Sequence, residues 1–215
     1  MEWAEWRPIY HELMDDLGFD IQADVKSAEI LSKLVLTKRI PDYGTIVEKL
    51  GQRVSIAGPA ESLEDDIGTL SGGETLISAG STTARLMRMG VVPDIIVTDL
   101  DGEVAWEIEA IENGALAFIH AHGDNIAMIE QVVPRLTRPF VPTIQCKPFG
   151  NVYNFGGFTD GDRAMLMASH FDARCIRTIG WDLKRPYPKK GVDPSLKMRK
   201  LHWAKEIISR CIDST

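Results

Sequence analysis

Two aspartates, Asp99 and Asp101, have the residue type and the spacing that suit metal chemistry; they lie in the segment TDLDG at 98–102. They follow an apolar run, 95–97, that is typical of a buried strand. Carboxylates two residues apart in extended backbone point to the same side, so that one hard cation can bridge them. Mg²⁺ binds one or two carboxylates together with water and substrate phosphates, and the pair therefore predicts a Mg²⁺–nucleotide site. A ligand-free turn rich in Asp and Gly is the alternative.

Two glycine-containing loops follow the predicted strands that precede this segment. The residues concerned are Gly58, Pro59 and Ser62 in the first loop, and Gly80, Ser81 and Thr82 in the second. Glycine after a strand lets a phosphate approach backbone N–H groups at a helix N-terminus, and the hydroxyls suit either phosphate binding or N-capping. Neither loop has the spacing of a dinucleotide fingerprint or a Walker loop. We predict nucleotide contacts in both loops, and plain strand–helix turns stay open as the alternative.

A polar loop, HAHGDN at 120–125, follows a further predicted strand. His-x-His-x-Asp is also found among the ligands of binuclear metallohydrolases, but the other three histidines lie in no second ligand-like motif. We therefore expect His122, Asp124 and Asn125 to line the same cleft as Asp99, with Asp124 as a further Mg²⁺ or substrate contact.

The segment GGFTDGDRA at 156–164 combines two glycines, a capping residue and an acidic first helical turn. Thr159 and Asp160 make a good helix start, and this needs no further role. The glycines also permit close approach of a ligand. Arg163 has three interpretations, since it can reach a phosphate, pair with Asp160 or be solvated.

These loops need a scaffold that brings them to one place. Strands are predicted at Arg53–Ala57, Thr75–Ala79, 94–98, 115–120, 141–146 and Cys175–Ile179, and helices at 61–67, 81–89, 104–113, 125–133, 161–170 and 197–211. Strands that alternate with helices at this spacing indicate βαβ units and a parallel sheet, whose ligand loops lie at the carboxyl ends of the strands. We predict an α/β, Rossmann-like three-layer fold with a mostly parallel sheet.

The first 50 residues differ from the rest of the chain. Segments 8–17 and 24–37 carry apolar residues at helical spacing and are separated by Gly18. This pattern predicts a small N-terminal helical lobe at 1–50, followed by an α/β catalytic domain at 51–215. The helices of the lobe would also offer a surface for packing on a second copy of the chain, as in a homo-oligomer.

Composition excludes several classes of function. The chain has 215 residues with a net charge of −7 and no dense Lys/Arg block, which argues against a nucleic-acid partner. No apolar run is long enough for a membrane span, and the N-terminus lacks the apolar core of a signal peptide. The three cysteines contain no C-x-x-C pair, so that neither zinc nor a disulfide framework is indicated. We expect a cytoplasmic protein without membrane association.

Taken in order, these motifs resemble the archaeal 6-hydroxymethyl-7,8-dihydropterin pyrophosphokinase family. The resemblance covers about 50–212 and includes GWD at 180–182 and the basic start of the last helix, KMRKL at 197–201. The family usually has Gly-Pro-Ser in the first loop, where this chain has Gly58-Pro59-Ala60. The family is in turn similar to thiamin pyrophosphokinase, whose Gly-Asp-Phe-Asp-Ser loop and later Thr-Asp segment bind metal and nucleotide. Asp99 and Asp101 match that loop by position, and Thr159-Asp160 match the later segment.

The resemblance implies transfer of diphosphate from ATP to the hydroxymethyl group of a dihydropterin, which releases AMP. It implies Mg²⁺ held by Asp99 and Asp101, with one of Asp124, Asp160 or Asp162 completing the shell or accepting the hydroxyl proton. The implied activity is that of a 2-amino-4-hydroxy-6-hydroxymethyldihydropteridine diphosphokinase on the route to folate or tetrahydromethanopterin. Candidates for holding the pterin ring are Gln145, Asn151, Asn154 and Phe158.

Two other functions stay open at this stage. One is a related transferase with thiamin or a glycosyl acceptor, since Asp-x-Asp also serves metal–nucleotide binding in many glycosyltransferases. The other is a nucleotide-binding regulatory module without turnover, which the number of acidic residues at strand ends disfavours.

Overall fold

The structure is a computed structural model that describes residues 1–188 and 193–211. Residues 189–192 and 212–215 of the predicted domain at 51–215 lie outside the described residues. The strands are β1 (Arg53–Ala57), β2 (Thr75–Ala79), β3 (Ile95–Thr98), β4 (Leu116–Ala121), β5 (Phe140–Ile144) and β6 (Cys175–Ile179). The α-helices are α1 (Trp3–Leu17), α2 (Ile21–Leu34), α3 (Tyr43–Leu50), α4 (Leu63–Ile67), α5 (Thr82–Arg88), α6 (Val104–Glu112), α7 (Ile126–Val132), α8 (Asp160–His170) and α9 (Pro194–Cys211), with short 3-10 turns at Val35–Thr37 and Val133–Arg135.

In the described residues the strands form one parallel sheet in the order β5-β4-β3-β2-β1-β6. The chain winds from β1 to β5 in one direction and then returns through α8 to place β6 beside β1. Every strand therefore ends at the same edge of the sheet, where open α/β sheets bind their ligands. The predicted parallel α/β fold is confirmed.

Helices cover both faces of the sheet because successive strand residues point in opposite directions. On β2, Ile77 packs in a cluster with α3 and α8, whereas Leu76 packs with α4 and α5 on the other face. The β4 residues alternate in the same way: Phe118 belongs to the α8 side, and Ile119 to the side covered by α2 and α7. Apolar residues on both faces explain why the strands read as continuous hydrophobic runs.

The N-terminal helices pack on this α/β core. Trp6 of α1 and Leu31 of α2 are fully buried in the same cluster as Ile119 of β4. The first helix extends beyond the segment 8–17 seen in the sequence, because a capping box between Glu2 and Glu5 starts α1 at Trp3 and Pro8 lies inside the helix. The helix α3 was not predicted. The domain boundary at residue 50 stays a prediction.

Within the described ranges, no helix has both the length and the hydropathy that a bilayer span requires. Cys146 is buried, Cys175 is exposed, Cys211 is half-buried, and all three thiols are free.

Candidate functional site

The acidic loop leaves β3 through a tight turn. Leu100 is buried and adopts a left-handed backbone with φ +61°, which is uncommon outside glycine. The Thr98 hydroxyl fixes this turn, because it accepts from the N–H of Leu100 at 2.9 Å and donates to Glu107 at 3.0 Å. The N–H of Asp101 donates to Oδ1 of Asp99 at 3.2 Å. The extended backbone assumed from the spacing is therefore wrong, but both carboxylates line one cavity all the same.

The loop after β4 supports the loop after β3. Asn125 is buried, and its Nδ2 donates to the carbonyl oxygens of Asp99 and His120, each at 2.7 Å. Its Oδ1 accepts from the N–H of His122 at 3.0 Å. Nε2 of His122 lies 3.3 Å from Oδ2 of Asp99 and orients that carboxylate. Asn125 thus positions the backbone of Asp99, whereas His122 contacts the carboxylate of Asp99 directly.

The third acidic group comes from the start of α8. Thr159 caps the helix, and Asp162 completes a capping box by accepting from the N–H groups of Phe158 at 2.6 Å and Thr159 at 2.8 Å. Asp162 is therefore committed to the helix end and lines neither of the two cavities described below. Asp160 instead projects toward Gly80, where a Cβ would overlap its carboxylate. Gly80 is needed for this close approach and for its own φ of +52°.

The acidic groups repel one another. Burial raises the pKa of the Asp160 carboxyl well above its usual range, and the charge of Asp99 raises it further, while Arg163 works in the opposite direction. Burial would also raise the pKa of Asp99, but the hydrogen bond and charge of His122, with the charge of Arg163, hold it below its usual range. The nearest guanidinium nitrogen of Arg163 is 3.4 Å from Asp160. This one guanidinium does not offset the carboxylates around it.

A divalent cation suits this donor set. Carboxylate oxygens are the ligands that Mg²⁺ prefers, and a bound cation would lower the cost of keeping neighbouring acids ionised. Among residues 1–188 and 193–211, no three His, Cys, Asp or Glu side chains already form a set that could hold a metal ion. A cation here would complete its shell with water or phosphate oxygens, as Mg²⁺ commonly does.

The larger cavity, of about 270 Å³, opens beside these acids. Its lining contains eight of the predicted site residues, from the loops after β1, β2 and β3 and from the start of α8: Gly58, Pro59, Gly80, Ser81, Asp99, Asp101, Thr159 and Asp160. The indole of Trp181 closes one side, since it packs where Gly58 and Gly161 leave room for it. The N–H groups of Gly58 and Gly80 donate to the carbonyls of Ile179 and Val97 at 2.9 and 2.8 Å, so that these glycines supply space rather than free donors.

The predicted residues Ser62 and Thr82 lie outside this lining. Ser62 is exposed and donates to Asp66 at 2.9 Å, and Asp66 in turn accepts from the N–H of Gly180 at 2.8 Å. Thr82 is fully buried at the start of α5. Ser62 thus serves the local structure of its loop, whereas the buried hydroxyl of Thr82 has no hydrogen-bond partner among the described residues.

A smaller cavity, of about 90 Å³, adjoins the larger one. Its lining includes the predicted residues His122, Asp124 and Arg163, together with Phe19, Ala23, Asp24 and Gln145. Three residues line both cavities, namely Asp99, Phe158 and Lys200. The two cavities therefore meet beside the carboxylate of Asp99.

Phe19, Asp24 and Lys200 were not predicted as site residues. Lys200 of α9 lies with its ammonium 5.4 Å from the ring centre of Phe19 and 5.6 Å from that of Phe158. The basic start of the last helix was the signal in the sequence that pointed to it. Asp24 gave no such signal, because an acidic residue in an amphipathic helix is ordinarily solvated.

The parallel sheet, with glycine turns and two cavities at its carboxyl edge, defines a Rossmann-like α/β protein with a ligand site at that edge. A family model described as 6-hydroxymethylpterin diphosphokinase MptE-like matches residues 29–187. The chain belongs to this family, and the resemblance seen in its motifs is confirmed.

Curated relatives are similar over nearly the whole chain, and each is named 6-hydroxymethyl-7,8-dihydropterin pyrophosphokinase. The protein from Pyrococcus furiosus is 35% identical over 97% of this chain and 93% of its own length. The protein from Methanocaldococcus jannaschii is 33% identical over 97% of this chain and 95% of its own. The protein from Methanothermobacter thermautotrophicus is 34% identical, with 97% and 94% covered.

Proposed function

We propose that this chain transfers diphosphate from ATP to the hydroxymethyl oxygen of 6-hydroxymethyl-7,8-dihydropterin, with Mg²⁺ as cofactor. The observation that carries the proposal is the meeting of two cavities at Asp99, next to Asp101 and Asp160. A donor and an acceptor bound in adjoining cavities would place their reacting atoms at this shared wall. The names and near full-length similarity of the relatives support the same acceptor and the same reaction.

In this reaction the hydroxyl oxygen forms a bond to the β-phosphorus of ATP. The bond from that phosphorus to the oxygen bridging it to the α-phosphate breaks, and AMP leaves with that oxygen. The products are the pterin diphosphate and AMP, and the pterin diphosphate is a precursor on the route to folate or tetrahydromethanopterin. Phosphoryl transfer depends mainly on positioning and on charge stabilisation rather than on covalent catalysis.

The described residues supply both requirements. Asp99, Asp101 and Asp160 would hold Mg²⁺, which when bound neutralises phosphate charge and stabilises the leaving AMP. Gly58 and Gly80 leave room for the nucleotide, and Trp181 offers an aromatic wall. Lys200 lines both cavities. Its ammonium would therefore stabilise the negative charge of the diphosphate both before and after its transfer from ATP to the acceptor.

The hydroxyl proton needs an acceptor on the side of the smaller cavity. Asp162 is committed to its capping box, and Asp160 lines the larger cavity. Asp124 is exposed and lines the smaller cavity together with Asp99 and His122. We therefore assign proton acceptance to the carboxylate of Asp124.

The test is to incubate the purified protein with ATP, Mg²⁺ and either the dihydropterin alcohol or thiamin, and to measure AMP. We expect AMP with the pterin, and its loss when Mg²⁺ is removed with a chelator. No AMP with the pterin would overturn the proposal. AMP with thiamin alone would assign another acceptor, and ADP in place of AMP would indicate transfer of a single phosphoryl group.

A further inference from the structure

The smaller cavity has an aromatic wall formed by two rings. The rings of Phe19 and Phe158 lie 6.1 Å apart between centres and are tilted by 36°. Phe19 comes from the corner between α1 and α2, and Phe158 lies two residues before the start of α8. The ammonium of Lys200 lies beside both rings at distances suited to a cation–π contact. A planar heterocycle can stack on such a wall with little dependence on its substituents.

The inner edge of the same cavity is polar and fixed. Asp24 is buried, and its carboxylate accepts from the hydroxyl of Tyr10 at 2.7 Å, from Nε2 of Gln145 at 2.6 Å and from the N–H of Gly123 at 2.8 Å. A carboxylate can accept about four hydrogen bonds, which leaves capacity for a ligand donor. Asp24 therefore joins three separate parts of the chain at the bottom of the cavity.

Arg163 completes this polar edge. One of its terminal nitrogens donates to Oε1 of Gln145 at 2.9 Å, which orients that amide. Its Nε is buried, and no acceptor lies within hydrogen-bond distance among the residues that the structure describes. A buried donor without a partner is costly, so a ligand acceptor at this place would stabilise the site. The edge thus offers a carboxylate acceptor, an amide and a guanidinium donor.

We propose that the smaller cavity is the acceptor subsite, in which the pterin ring stacks on Phe19 and Phe158 and presents its pyrimidinone edge to Asp24, Gln145 and Arg163. That edge carries N–H and amino donors next to a carbonyl acceptor, which complements the carboxylate and the guanidinium. The hydroxymethyl group then lies at the end of the cavity formed by Asp99 and Asp124. This inference rests on the proposed function, since it names where that function's acceptor binds.

Size supports the division between the two cavities. The smaller cavity has about a third of the volume of the larger one, about 90 against 270 Å³. The larger cavity also carries Asp101, Asp160 and the glycine turns, and it therefore suits a metal-bound triphosphate. The α1–α2 corner belongs to substrate recognition on this assignment, rather than to an appended lobe.

Ala23→Leu tests the assignment without removing a charged group. Ala23 lies in α2 against Gly123 and lines the smaller cavity, so a leucine there would occupy the space of the pterin. Gln22→Leu is the matched control, because residue 22 is exposed on the same helix and lines neither cavity. Pterin binding is measured by calorimetry with the full chain presaturated with Mg²⁺ and α,β-methylene-ATP. The affinity for that nucleotide is measured separately.

We expect Ala23→Leu to weaken pterin binding about tenfold or more, the scale of overpacking a filled site, with nucleotide affinity unchanged and Gln22→Leu like wild type. Phe19→Ala is the second variant and should weaken pterin binding about tenfold through loss of stacking. Pterin affinity equal to wild type in both variants would overturn the subsite while leaving the proposed function standing. A parallel loss of nucleotide affinity would also overturn it. A wild-type protein that neither binds nor turns over the pterin would instead overturn the proposed function itself.

Discussion

The pKa of an acidic side chain is lowered at one edge of the sheet and raised at the other. Near the amino edge, Glu74 pairs with Arg53 at 3.0 Å and with Arg177 at 3.1 Å, and it accepts from the hydroxyls of Ser55 and Ser71. Hydrogen bonds from Ser55 and Ser71, with the charge of Arg177, lower the pKa of Glu74 to about 2. At the carboxyl edge, burial and the charge of Asp99 raise the pKa of Asp160 well above its usual range.

The charge of the acidic cluster at the amino edge is balanced within the chain, whereas that of the cluster at the carboxyl edge is not. Glu74 has its charge and its hydrogen bonds satisfied within the chain, so its function ends with the stability of the sheet. Asp160 and Asp99 are half-buried near each other, with Arg163 close to the first and His122 close to the second, and a further positive charge would favour the ionised form of both carboxylates. An unbalanced cluster of this kind beside a cavity is typical of a functional site.

The largest effect is expected from the acids of the β3 loop. Asp99→Asn and Asp101→Asn should each lower kcat about 10²-fold or more, the scale of losing a key electrostatic group. Both substitutions keep the side-chain shape, and Asp15→Asn on the exposed face of α1 is the control. Steady-state AMP formation measures the effect. Turnover close to wild type in both variants would show that Asp99 and Asp101 do not hold the metal ion.

The next effect separates a metal ligand from a proton acceptor. Asp160→Asn should raise the Mg²⁺ concentration for half-maximal activity about tenfold or more, because a ligand is lost. Asp124→Asn should leave that Mg²⁺ requirement unchanged and lower kcat about tenfold or more, since general-base catalysis is lost. Mg²⁺ titrations of the initial rate measure both. A higher Mg²⁺ requirement in Asp124→Asn, with an unchanged one in Asp160→Asn, would instead identify Asp124 as the metal ligand, as expected from the sequence.

At the amino edge of the sheet, we expect a substitution to change the free energy of unfolding and not the activity. Glu74→Gln should destabilise the fold by about 1–3 kcal/mol, because hydrogen bonds to a charged group are lost, and should leave kcat unchanged. Urea unfolding and AMP formation test the two halves of this prediction. Glu48→Gln, at an exposed position of α3, is the control. A large loss of kcat without a loss of stability would show that the two edges do not differ as described.

The smallest effect is a pH dependence of the same group. The folded-state pKa of Glu74, about 2, lies below the ordinary value of 4.5. Its contribution to stability is therefore fully present above pH 4.5 and is lost as the pH falls from 4.5 toward 2. The difference in free energy of unfolding between wild type and Glu74→Gln should shrink over this range. A difference that stays constant with pH would contradict the assignment.

Much of the fold could be predicted because its determinants are local. The bounds of β1, β2 and β6 match the predicted ones, since each strand is a short run of apolar and β-branched residues between polar or glycine segments. The start of α1 was missed because Glu2 and Glu5 cap it ahead of Pro8. The α3 helix is only eight residues long and is stabilised by packing of Ile46 and Leu50 under the sheet, which sequence periodicity does not show.

The site could be predicted where it depends on strand ends and could not where it depends on packing between distant segments. The predicted residues Gly58, Gly80, Asp99 and Asp160 line one cavity because parallel strands end at one edge, and their roles there stay predictions. The left-handed turn at Leu100 depends on the buried Thr98–Glu107 contact and is not visible in the local sequence. Phe19 and Lys200 reach the cavity through contacts with Phe158, and Asp24 through contacts with Gly123 and Gln145, and no spacing rule covers such separations.

The most direct test is a crystal structure of the protein with Mg²⁺ and α,β-methylene-ATP, which cannot be cleaved at the bond that breaks in the reaction. We predict a metal ion between the triphosphate and the carboxylates of Asp99 and Asp101, with the nucleotide in the larger cavity and its β-phosphorus facing the smaller one. A nucleotide in the smaller cavity, or a metal ion remote from both aspartates, would contradict this prediction.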